Sequence, residues 1–111
     1  MHDTDPLLIT DGYTAVRTVP AVPGLHPELT ISYRPALAKE RHVFRQKMAS
    51  PDAAVHEAAE ADLIRRQLVS INGREYRDPD KVARLVPAVR AWAANLILGY
   101  EPADEAKDAK N

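Results

Sequence analysis

The stretch that most constrains this chain is Pro51 to Tyr76, PDAAVHEAAEADLIRRQLVSINGREY, whose apolar residues recur at helical spacing. Val55, Ala59 and Leu63 repeat every four residues, and Ala61, Ile64, Leu68 and Ile71 extend the stripe at spacings of three and four. Ser50 before Pro51 predicts the start. A serine oxygen accepts from a free first-turn amide, and proline at the first helical position forfeits a hydrogen bond that no residue there would make. Asp52 adds negative charge at the positive end of the helix dipole. The stripe is alanine in its first half and branched in its second, so another backbone can approach the first half closely. The buried area should come from Leu63 to Ile71.

Asn72-Gly73 closes the segment and admits two readings, because both residues tolerate the left-handed conformation. The favoured one is a helix C-cap. The other is a two-residue hairpin turn between Leu68–Ile71 and Arg74–Arg77.

The first third of the chain has a different pattern. Leu7–Thr10 and Tyr13–Val19 read as short β segments across the Asp11-Gly12 turn, and Leu29, Ile31 and Tyr33 alternate with polar residues as in a half-buried strand. Between them, Pro20, Pro23, Gly24 and Pro27 impose a loop. A small antiparallel ribbon is marginal alone, so it must pack on the helices. Pro35 to about Ala49 forms a helix with Leu37, Arg41, Phe44 and Met48 near one face and the cations Lys39, Arg41, Arg45 and Lys47 against the single acid Glu40. These cations read first as a solvated face with their stems along the core edge, and alternatively as an anionic docking patch. Asp78 and Pro79 start a short helix to about Val86, Pro87 kinks it or begins another, and Gly99 stops the last one. The apolar face of that last helix is Val89, Trp92, Ala93, Leu96, Ile97 and Tyr100, with Trp92 expected at its contact with the central helix.

The expected fold is therefore α+β. A small N-terminal antiparallel β ribbon packs against three to four helices in one domain over 1–100: ribbon and proline-rich loop at 1–34, helical part at 35–100, then a disordered charged tail at 101–111. The tail has no apolar residue larger than alanine and cannot support packing.

Composition narrows the chemistry. With no cysteine, disulfides, thiolate metal sites and a cysteine nucleophile are excluded. No apolar run approaches the roughly 18 residues of a membrane span, and the N-terminus lacks the basic start of a secretory signal, so a cytoplasmic protein without a membrane partner is expected. A net charge of −1 argues against general affinity for nucleic acid. His2, His26, His42 and His56 lack metal-ligand spacing, Ser50 and Ser70 have no base signalled near them, and no glycine-rich loop exists to hold a phosphate. Glu57 and Glu60 read as surface partners of Arg65 and Arg66. No catalytic residue, cofactor or metal site is expected.

Several segments together resemble the small tail assembly chaperones of long-tailed bacteriophages and prophages. They are Leu29-Thr30-Ile31-Ser32-Tyr33-Arg34-Pro35-Ala36, the basic helix after it, the acidic and alanine-rich helix running into Leu68–Gly73, Asp78-Pro79, and the last helix ending Leu96-Ile97-Leu98-Gly99-Tyr100, over about residues 25–100. The resemblance implies a non-enzymatic role in a bacterial host cell, coating a tape measure protein during tail morphogenesis, with self-association into an oligomer as a further expectation. It puts protein binding on Leu37, Arg41, Phe44 and Arg45 and on a ridge of Trp92, Leu96 and Tyr100. Many members of the group are made in two lengths by ribosomal frameshifting, and Ala109-Lys110-Asn111 can be encoded with a slippery heptamer. Two other classes compete. One is a virion structural component, such as a head–tail connector or tail-completion protein, and the other a small nucleic-acid-binding regulator using the Lys39–Lys47 helix.

Overall fold

A computed structural model describes residues 13–104. The expected strand at Leu7–Thr10, the Asp11-Gly12 turn, and the tail from residue 105 onward lie outside the described residues. In chain order the elements are β1 (Ala15–Val19), β2 (Leu29–Tyr33), α1 (Ala38–Met48), α2 (Ala53–Gln67), β3 (Leu68–Ile71), α3 (Pro79–Ala83) and α4 (Pro87–Leu98). The fold is α+β, as the sequence pattern predicts: an antiparallel sheet in the order β1-β2-β3 packed against helices.

Alternation along β2 turns Leu29, Ile31 and Tyr33 inward, and these meet the buried Ala15 and Val19 of β1 and Leu68 and Ile71 of β3. Strict alternation back from Ile71 would turn Val69 to the core. A register shift at Ser32/Tyr33 sets Leu68 opposite Tyr33 instead, so the leucine stays inside. Ile64 of α2 and Val89, Ala93, Leu96 and Ile97 of α4 close the core over the sheet. The burial of Leu63, Ile64, Leu68 and Ile71 follows the expectation that the branched half of the central segment carries the core.

The central segment is not one helix, and Asn72-Gly73 is not its cap. α2 ends at Gln67 and passes without a loop into β3, with Leu68 already extended at ψ 131°. Asn72 (φ 53°) and Gly73 (φ 81°) are both left-handed and form a two-residue hairpin turn. Ile71 and Arg74 exchange hydrogen bonds across it at 2.9 and 3.0 Å. The competing interaction is β2: Asn72 N–H donates to Thr30 O at 2.9 Å, its Oδ1 accepts from Thr30 N–H at 2.8 Å, and its Nδ2 donates to Glu28 O at 3.1 Å. Two tertiary bonds to β2 and a third to the residue before it outweigh a local helix cap. Gln67 anchors the other end, accepting at its carbonyl from Arg34 N–H and donating through Nε2 to Arg34 O.

The start of α2 also moves. Asp52, not Ser50, is the cap, its Oδ1 accepting from Ala54 N–H at 2.9 Å, while Ser50 Oγ accepts from Asp52 N–H at 3.1 Å. Asp78 caps α3 as expected, with Oδ1 accepting from Asp80 N–H. Pro87 begins a separate helix, and Gly99 (φ 87°) stops it as Tyr100 N–H donates to Asn95 O.

Residues 101–104, placed by the sequence pattern in the charged tail, double back along the free edge of β1, with Ala103 packed against the core. Asp104 N–H donates to Val16 O at 2.8 Å, and its Oδ2 accepts from Thr18 N–H at 3.1 Å. Arg17 donates to Pro102 O at 2.6 Å. These are the bonds of a parallel strand pair, with a side-chain carboxylate standing in for the second backbone carbonyl. An open sheet edge is thereby covered by one residue.

Candidate functional site

α1 is the unusual element. Its N-cap position is Leu37, whose side chain cannot accept a hydrogen bond, so Glu40 reaches back and accepts from Leu37 N–H at 2.9 Å. None of its eleven residues is buried. Phe44 alone wedges against the core, while Leu37, Val43 and Met48 remain 50%, 43% and 40% exposed. An eleven-residue helix is too short to hold itself in water, so Phe44 and the packing on α2 must sustain it.

The electrostatics are one-sided. Among the described residues Lys39, Arg41, Arg45 and Lys47 make no ion pair. Between α1 and α2 lies a cleft of about 120 Å³ with Val43, Phe44 and Leu63 on its apolar side and Lys39, Lys47 and Arg66 around it. Its acids are already engaged: Glu40 by the cap, and Asp62 by Arg65 at 2.6 Å and Arg66 at 3.0 Å. Partial burial pushes the Asp62 carboxyl up, but hydrogen bonds and charge from the two arginines outweigh this and hold it below the ordinary carboxylate value. Glu60 does not pair with Arg65 or Arg66 as the spacing suggests. It reaches across to α4, 3.0 Å from Arg90 Nε, whose N–H is buried and not aligned for a hydrogen bond.

Of the expected binding residues, Leu37 is the N-cap of α1 and Arg41, Phe44 and Arg45 lie on it, with Phe44 turned to the core. The second group does not form a ridge. Leu96 is 1% exposed and belongs to the core, because it shares a face with Val89, Ala93 and Ile97. Tyr100 lies past the helix and is 63% exposed. Trp92 is half-buried under the β1 side chain Arg17, whose guanidinium carbon is 5.5 Å from the ring centroid. The α4 face toward α2 carries Arg90 instead. Val43 and the α2 side of the cleft escaped the sequence reading: Val43 stands one residue off the Phe44 stripe, and a cleft between helices has no local signal.

Among the described residues no cluster of His, Asp and Glu is placed to hold a metal ion, and no helix is long and apolar enough to cross a membrane. Compared with known proteins, the chain matches no family model, no curated protein and no solved structure.

Proposed function

We propose that this chain is a non-enzymatic protein-binding module of the phage and prophage tail assembly chaperone kind, holding an apolar-striped segment of a tape measure protein during tail morphogenesis. The observation that supports this reading is α1, a helix with no buried residue that exposes aliphatic side chains beside four cations lacking ion-pair partners among the described residues. A partner helix laid along the cleft would cover Val43 and bring its flanking carboxylates to Lys39 and Lys47, while Leu37 and Met48 offer a second apolar strip on the other side of Phe44. Helix-in-groove recognition uses this chemistry.

The test is to read the genes on either side for a tape measure protein, co-express the chain with it, and titrate its soluble segments into the purified chain. Binding should be saturable and should fall at least tenfold in a Val43→Glu, Met48→Glu variant that keeps its circular dichroism and melting temperature. A stable, concentration-independent ring with no affinity for those segments would favour the connector class. Salt-sensitive binding to DNA would favour a regulator.

A further inference from the structure

A second, larger groove lies away from α1, where the end of the β2–β3 pair meets α3 and the start of α4. It encloses about 540 Å³, within the range of ligand pockets. Leu29, Ile71, Leu85 and Val89 line it as an apolar wall, and Lys81 and Arg84 stand over it. Among the described residues no carboxylate lines it. Lys81 and Arg84 make no ion pair among the described residues, and the nearby Asp78 has spent its carboxylate on Asp80 N–H. Val86, at the lip, is 49% exposed.

We infer that this groove is a binding site for a peptide segment of a partner protein that presents aliphatic side chains next to carboxylates. The apolar wall accounts for the aliphatic part and the uncompensated pair of cations for the acidic part. A groove open to solvent covers only one side of its occupant, which suits side chains carried on a partner's backbone better than a small molecule that needs enclosure. The site is independent of the α1 surface. Its charge should act mainly through encounter rate and selectivity, and its apolar wall through residence time.

The experiment is a heteronuclear NMR titration of the full chain with a short synthetic peptide carrying aspartates beside leucines, run against the same peptide with asparagines. Saturable shifts are expected at the amides of Leu85, Val86 and Val89, with the asparagine peptide binding roughly tenfold more weakly, and with similar weakening in Lys81→Ala and Arg84→Ala. Both side chains are exposed, so these variants should retain the fold, and the spectrum itself reports whether they do. Equal binding of the two peptides, or no shift at these amides, would overturn the assignment. So would displacement of resonances from residues 1–12, which would make the chain's own Asp3–Ile9 the occupant. Shifts confined to Val43 and Phe44 would support the α1 surface while removing this one.

Discussion

At the level of single residues, Asn72 and Asp62 carry the clearest consequences. Asn72→Ala removes the bonds to Thr30 N–H and Glu28 O and should cost about 1–2 kcal/mol, read as a lower midpoint in urea unfolding. Gly73→Ala should cost about 1 kcal/mol, because any side chain at φ 81° is strained although nothing crowds the position. For Asp62 the folded carboxyl is held below its ordinary value of 3.8, so the unfolded chain binds more protons as pH falls through that region. The stabilisation is full above the unfolded value and is lost as pH falls through the lower folded one. Asp62→Asn should therefore flatten the acid limb of a melting-temperature profile by lowering its neutral plateau slightly, the two pairs being partly exposed, and should match the parent protein at pH values below the folded carboxyl's.

Among the elements, those set by local chemistry were legible in the sequence: the β2 alternation, the Asp78-Pro79 start, the Pro87 restart and the Gly99 stop. The elements that depend on a distant partner were not. β3 continues the apolar rhythm of α2, and only its pairing with β2 makes Leu68–Ile71 a strand. Periodicity fixes the face of α4 that Trp92 occupies but not what covers the ring, and Arg17, which does, lies far away in the chain. The candidate site was half legible, as the α1 cations are contiguous in sequence whereas Leu63 and Arg66 join them only through packing. For α1 itself, Val43→Glu should change global stability by no more than about 0.5 kcal/mol, since an exposed side chain buries little. Phe44→Ala should instead loosen the helix, seen as faster amide exchange over residues 38–48 with protection in α4 retained.

For the whole molecule, the strap at residues 102–104 links the segment after α4 to the first described strand. Asp104→Ala should leave Thr18 N–H without its carboxylate and shift Trp92 emission, because Arg17 lies between strap and ring. It should also raise the tendency of the opened β1 edge to associate, measured by light scattering against concentration. The Asn72 turn has a consequence of another kind, one of chemical ageing. An asparagine followed by glycine is the dipeptide in which the next backbone nitrogen most readily attacks the side-chain amide. Ammonia leaves, and water then opens the cyclic imide to aspartate or isoaspartate. In the folded protein both atoms of the Asn72 amide are engaged, by Thr30 N–H and by Glu28 O, and must let go before the amide can turn to Gly73 N. Opening of this hairpin therefore sets the pace of the reaction. Once it occurs, the Glu28 carbonyl faces a carboxylate instead of a donor, so each aged molecule closes less firmly than before, and stored protein should lose its sheet from this corner first.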